Sequence, residues 1–200
     1  MLCRVFLLLI MTLVVQPFAL QAASQQHQEV EWKPLIVYYS LSGSTAVVAR
    51  ELERALGCRL FEITSLRRRT GFWTVNCVID QLFDRDDLPG PVTVDAAQYN
   101  PLILACPIWI HRFASPMRTF LAGRSLDGKE VFVIVTHQGN CGVKDEQAIR
   151  RFLAGRGMQV KGYAAVLTRN RTQAEIIDAT RQCIEQNFFD MEKAVSITNN

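Results

Sequence analysis

Three short segments carry the residue types that could handle a charged or aromatic ligand. Ser40-Leu41-Ser42-Gly43-Ser44-Thr45 sets four hydroxyls around one glycine. If this run opens a helix, its backbone N–H groups and hydroxyls face an anion at the helix's positive end. The same residues also suit an ordinary turn with Ser42 or Ser44 as the helix N-cap. The segment lacks the Gly-Lys-Ser/Thr of a nucleoside-triphosphate loop and the Gly-x-Gly-x-x-Gly of a dinucleotide turn. In Cys106-Pro107-Ile108-Trp109-Ile110-His111-Arg112, proline stiffens a turn that can present the Trp109 indole to a flat heteroaromatic ligand or pack it half-buried against the fold. Thr136-His137-Gln138-Gly139-Asn140-Cys141-Gly142 is polar, and its two glycines let backbone N–H and C=O groups approach a ring closely.

Other chemistries lack their markers. The six cysteines show no Cys-x-x-Cys spacing, and His27, His111 and His137 are scattered without His-x-x-x-His, so no metal site is expected. No Ser/His/Asp arrangement is assignable, and no side chain is assigned as acid, base or nucleophile. Lys and Arg number 22 against 19 Asp and Glu, a net charge of +3, too little clustered basicity for a nucleic-acid binder. With 200 residues, 49% of them hydrophobic, the chain suits one folded domain and neither disorder nor a collagen-like repeat.

The elements that must hold the three segments are apolar runs alternating with amphipathic stretches, the pattern of a parallel sheet with crossover helices. Residues 35–39 and 59–63 read as the first two strands. The continuous runs 102–106 and 131–135 read as central strands covered on both faces, and 160–167 as a fifth strand. Helical spacing places Val48, Leu52 and Ala55 on one face over 45–56; Phe72, Val75, Ile79, Leu82 and Phe83 recur likewise. A later helix spans 145–155 with Ile149, Phe152 and Leu153, and a last one carries Ile176, Ile177, Thr180, Ile184 and Phe188. Ligands of such open sheets bind at the carboxyl ends of the strands, where all three segments fall.

The amino-terminal stretch follows another logic. Arg4, an apolar run from Val5 to Val15, and the small residues around Ala22 and Ala23 form the order of a secretory signal. Cleavage after Ala22 or Ala23 gives a leader of 1–23, a linker of 24–32, a domain of 33–193 and a tail of 194–200. The expected destination is the periplasm. An uncleaved membrane anchor is the alternative, if the apolar run extends through Leu20. No cysteine follows the run as a lipid acceptor, and no Arg-Arg pair precedes it.

Three blocks in order carry a family resemblance: Tyr39-Ser40-x-Ser42-Gly43-Ser44-Thr45; Tyr99-Asn100-Pro101-Leu102-Ile103-Leu104-Ala105-Cys106-Pro107-Ile108-Trp109; and Thr136-x-x-Gly139. With Ser115-Pro116-Met117-Arg118-Thr119-Phe120-Leu121 entering the helix after the third strand, roughly residues 33–190 resemble the flavodoxin family. The resemblance implies a doubly wound five-stranded parallel sheet of order 2-1-3-4-5, with helices on both faces and one noncovalent FMN. Ser40, Leu41, Ser42, Gly43, Ser44 and Thr45 would take the phosphate. Pro107, Ile108, Trp109, Ile110 and His111 would lie on one side of the ring, with Trp109 stacking. Thr136, His137, Gln138, Gly139, Asn140 and Gly142 would line its edge. Two departures stand out. Ser44 occupies a position where the family commonly has Asn, and the chain is slightly basic where electron carriers of the family are strongly acidic. His111 and Arg112 beside the ring would favour the anionic reduced flavin.

The resemblance implies electron transfer, with a redox partner protein or a quinone-like small molecule as partner. The alternatives are an FMN-dependent NAD(P)H:quinone-type oxidoreductase and a flavin-free interaction domain on the same scaffold. No second nucleotide motif is visible for a nicotinamide cofactor. Arg67, Arg68 and Arg69 before Phe72 and Trp73 read either as a solvated loop and a packed helix or as a peripheral contact with anionic lipid. Cys106 and Cys141, at the ends of neighbouring strands in the implied sheet, read as two small buried residues or as a disulfide or redox pair.

Overall fold

Continuous apolar runs need cover on both sides, and the chain supplies it with helices on either face of one sheet. The computed structural model describes residues 33–66, 87, 90–139 and 141–187. Five parallel strands form the sheet: β1 (Leu35–Tyr38), β2 (Arg59–Glu62), β3 (Leu102–Trp109), β5 (Glu130–His137) and β6 (Gln159–Leu167), in the order β2-β1-β3-β5-β6. A two-residue strand, β4 (Arg112–Phe113), pairs antiparallel with the end of β3. With β4 set aside, the order is the expected 2-1-3-4-5. The described α-helices are α1 (Ser44–Leu56), α2 (Ser115–Ala122), α3 (Val143–Ala154) and α4 (Gln173–Asn187).

Alternation along the central strands divides the core into two layers. Leu35, Val37, Leu104, Cys106, Val133 and Val135 pack with Met117, Phe120 and Leu121 of α2 and Ile149 and Leu153 of α3. Ile36, Ile103, Ala105 and Ile134 pack with Val48 and Leu52 of α1 and Ile176 and Ile184 of α4. The outer strands expose one side, so they read as alternating or mixed in sequence. β6 carries an extra residue where its register to β5 shifts, Val131 facing Val160 and Phe132 facing Gly162. A β-carbon at Gly162 would stand 2.8 Å from the Phe132 ring and 2.9 Å from the Asn187 carbonyl, so the close approach of β5 and α4 requires glycine there.

Charge ties α1 to α4. Buried Glu51 accepts from Arg54 Nε at 2.9 Å and from Arg181 Nε at 2.8 Å. The Arg54 bond, joined by Arg181, outweighs desolvation and holds the carboxyl at about 2.

One expectation for the fold is corrected. The sequence reading ended the third strand at Cys106 and began a turn, whereas the strand continues through Pro107, Ile108 and Trp109 and doubles back as β4. Proline is tolerated because β1 has already ended: Tyr39 N donates to Ala105 O, and two residues further, on the same side of β3, Pro107 O accepts from Ala114 N. Observed helix and strand bounds otherwise shift by one to three residues from the expected ones. The helical pattern from Phe72 to Phe83, Phe188, and residues 1–32 with the proposed leader lie outside the described residues. Among the described residues, no helix is long and apolar enough to cross a membrane.

Candidate functional site

The carboxyl ends of β1 and β3 mark the place where the chain leaves β1 for one neighbour and later returns on the other, the usual crevice of an open α/β sheet. The loop from β1 into α1 is shaped by Gly43 at φ 90°, the left-handed region where only glycine rests without strain. Gly43 N donates to Ser40 Oγ at 3.1 Å, closing the loop, and Val47 N donates to Gly43 O at 3.1 Å, opening the helix. Helix geometry then leaves the N–H groups of Ser44, Thr45 and Ala46 without an intrahelical acceptor. Among the described residues no side chain caps α1, and its first turn holds no acidic residue. Space is open where a β-carbon of Gly43 would stand. These observations fit an anion at this terminus. Ser42 and Gly43 are exposed, while Leu41 and Ser44 are partly buried.

A buried hydroxyl pair joins the first turn of α1 to the end of β5, where the third segment begins. Thr45 Oγ1 and Thr136 Oγ1 lie 2.8 Å apart, both residues almost fully buried. One proton serves the contact, so the other hydroxyl keeps a proton to donate. The carboxyl end of β5 therefore touches the first turn of α1 although 91 positions separate the two residues. Further along, His137 O accepts from Thr168 N at 2.8 Å, His137 Nδ1 contacts Gly139 O, and Gln138 and Gly139 are exposed. Gly142 is exposed and precedes α3; Asn140 lies outside the described residues.

The β3–β4 hairpin forms the remaining wall. Trp109 is partly buried with its ring edge-to-face against Tyr39, centroids 6.1 Å apart and planes at 86°. Ile110 and His111 form the two-residue tip at φ 46° and 62°. A β-branched residue in this region costs about 1–2 kcal/mol. Such an outlay persists at a tip that other contacts hold in place. Here His111 Nδ1 and Asp145 Oδ1 lie 2.7 Å apart, while Asp145 Oδ2 accepts from Gly142 N at 2.8 Å. Burial by itself would raise the Asp145 carboxyl, but the Gly142 N–H and then His111 outweigh it and hold it below the ordinary range. The sequence set His111 beside Arg112; the structure adds a carboxylate, Asp145, against the His111 ring.

The structure therefore brings together the three expected segments and adds residues that sequence reasoning missed. Asp145 was read only as the start of a helix. Glu62, Thr64 and Ser65 were missed altogether, yet with Tyr39, Ser40 and Leu41 they line a cavity of about 260 Å³ between the ends of β1 and β2. The available signal was the strand order itself, which places β2 beside β1. Tyr38 points to the same acidic neighbour: burial, then a bond to Glu62, pushes its phenol up to about 12. Tyr99, Asn100 and Pro101 stand at the opposite, amino end of β3, where Arg59 donates to Tyr99 Oη at 2.7 Å and Asn100 Oδ1 accepts from Glu130 N at 2.9 Å.

Cys106 and Cys141 are free thiols. Cys106 is fully buried and its thiol is pushed strongly up by desolvation; Cys141 Sγ lies 3.4 Å from Tyr163 Oη on β6. Among the described residues, no group of three His, Cys, Asp or Glu side chains could hold a metal ion.

No protein-family model and no curated protein sequence matches the chain. Solved structures do match in shape. A candidate flavoprotein from Bacteroides uniformis superposes with a TM-score of 0.64 at 18% identity, covering 78% of this chain and 99% of that one. A candidate flavoprotein from Bacteroides eggerthii gives 0.61 at 22% identity, covering 76% and 96%. A flavoprotein in complex with FMN from Lactobacillus acidophilus gives 0.56 at 21% identity, covering 67% and 93%. Strand order, helices on both faces and these likenesses together show that the chain has the flavodoxin-like fold.

Proposed function

We propose that this protein binds FMN without a covalent bond in the crevice formed by the three loops and serves in electron transfer. The observation that carries the reading is the amino terminus of α1, which no described side chain caps, with Gly43 left-handed and Thr45 joined to Thr136 at the end of β5. Backbone N–H groups of the first turn and the hydroxyls of Ser40, Ser42, Ser44 and Thr45 would hold the phosphate. The hairpin with Trp109 and the segment from Thr136 to Gly142 would hold the ring. The flavin supplies the redox chemistry; the chain contributes binding, shielding from water and a local field. The FMN complex of the Lactobacillus acidophilus flavoprotein supports this reading through a shared fold.

At the hairpin tip the Asp145 carboxylate stands 2.7 Å from the His111 ring, so negative charge is placed beside this wall of the crevice. Arg112 and the modest net charge of +3 still set the protein apart from an acidic carrier. We further propose export to the periplasm on the evidence of the charged, apolar and small-residue order of residues 1–23. The proposed partner is a redox protein or a quinone-like molecule. Peripheral membrane contact through Arg67, Arg68, Arg69, Phe72 and Trp73 is checked by liposome flotation, which should depend on anionic lipid.

The deciding experiment is an anaerobic visible spectrum of the protein reconstituted with FMN, taken before and after NADPH or NADH. Persistent flavin bands that only an artificial donor bleaches are expected. Rapid bleaching by NAD(P)H would replace the carrier with the NAD(P)H:quinone-type oxidoreductase. Failure to bind FMN would leave the flavin-free interaction domain.

A further inference from the structure

On the outer side of the α2–α3 layer, elements far apart in sequence converge on a cleft of about 450 Å³. Arg112 of β4, Arg118 of α2, Arg151 of α3 and Arg156 beyond α3 line it, over a floor that includes Phe113 and Phe152. Its size falls in the range of pockets that hold small organic molecules. None of the described residues lining it is acidic.

The two arginines from the α3 end carry the argument. Among the described residues, Arg151 Nε donates to the Gln147 carbonyl, at 3.2 Å, and Arg156 Nη1 to the Phe152 carbonyl, at 3.1 Å. Each keeps further N–H donors for another partner, since a guanidinium carries five. Arg156 also lies over the Phe152 ring, 3.8 Å from its centroid, and Phe152 meets Phe113 edge-to-face at 6.0 Å. This contact sets the Arg156 charge against the aromatic wall before any ligand arrives. Arg54, Arg181 and Arg150 differ from Arg151 and Arg156: the first two converge on Glu51, and Arg150 holds Glu146 at 2.7 Å. Arg151 and Arg156, side by side on one concavity, raise its positive potential, which an anion relieves.

We propose that this cleft is a binding site for a small organic polyanion, one whose two or more carboxylate or phosphate groups engage the guanidinium forks while an apolar ring or chain lies against Phe113 and Phe152. The site is separate from the α1 terminus and does not depend on the flavin reading. It shares with the crevice only the β3–β4 hairpin, through His111 at its rim.

The test uses the full chain and isothermal titration with benzene-1,3,5-tricarboxylate, its uncharged analogue benzene-1,3,5-trimethanol, and inorganic pyrophosphate. Saturable one-to-one binding of the tricarboxylate is expected, with none of the trimethanol and at least fivefold weaker binding of pyrophosphate. Arg151→Gln and Arg156→Gln should each weaken the tricarboxylate about tenfold with unchanged thermal unfolding midpoints. Arg150→Gln, which removes the same charge from the same helix outside the cleft, should leave binding within twofold. Arg151→Lys, which keeps the charge and loses the fork, should fall between. Absence of saturable tricarboxylate binding, equal binding of the trimethanol or of pyrophosphate, or an equal loss in Arg150→Gln would each overturn the assignment.

Discussion

Two places among the described residues that suit an anion are built from opposite materials. At the α1 terminus the donors are backbone N–H groups and neutral hydroxyls, aimed by a left-handed glycine and fixed by the Thr45–Thr136 contact. In the cleft between α2 and α3 they are formal charges on long side chains, set against aromatic rings. Fixed dipoles act over the first helical turn and depend on geometry, whereas guanidinium charges act at longer range and are screened by salt. The first region should be broken by changes of shape and the second by changes of charge or ionic strength. A third grouping, Arg54 and Arg181 on Glu51, uses the cleft's chemistry with the anion already supplied by the chain.

The largest effect is expected from Thr45→Val, which leaves the Thr136 hydroxyl buried without its partner. Stability should fall by about 1–3 kcal/mol in urea unfolding, and FMN affinity by tenfold or more. The double variant Thr45→Val/Thr136→Val should recover most of the stability without the affinity. Unimpaired FMN binding by the double variant would remove the hydroxyl pair from the ligand region. Next, Gly43→Ala should cost about 1–2 kcal/mol for a left-handed residue with a β-carbon, lowering FMN affinity correspondingly. Gly43→Asn, which tolerates that region, should retain more of both; equal losses would show that space rather than backbone conformation matters.

Glu51→Gln isolates the paired arginines. The wild-type carboxyl is lowered from 4.5 to about 2, so its contribution is complete above pH 4.5 and disappears as pH falls toward 2. With both arginine partners about half exposed, that contribution is about 1–2 kcal/mol. Unfolding followed between pH 5 and 2 should show a steeper loss in the wild type than in the variant, and parallel curves would remove the ion pairs from the account. The smallest effect separates the two anion regions directly. Raising salt from about 50 to about 500 mM, where the screening length contracts to a few ångströms, should weaken tricarboxylate binding severalfold and FMN binding less than twofold. Equal salt dependence would erase the distinction.

Much of this was legible in the residues themselves. The runs at 102–106 and 131–135 are apolar at every position because both faces are covered, so they announced central strands, and 35–39 announced a first one. Gly43 among hydroxyls announced a turn into a helix. The continuation of β3 past Pro107 was not legible, because a proline in a strand depends on which neighbour has ended, and that is set by β1. Asp145 read as a helical first-turn acid; its hold on His111 depends on a hairpin 34 positions earlier. The arginine cleft was invisible for the same reason, since its four cations belong to three separate elements and one loop.

Local pattern therefore determined the elements, their alternation and the candidate loops, because burial on one or two faces constrains each strand and helix through its own residues. Only the tertiary structure decided which hydroxyl meets which across the sheet, where a strand is free to double back, and which arginines face a carboxylate or an open cleft. Those outcomes rest on hydrogen bonds and charges between residues distant in sequence, and short-range contacts of this kind exist only after strand order and register have fixed the distances.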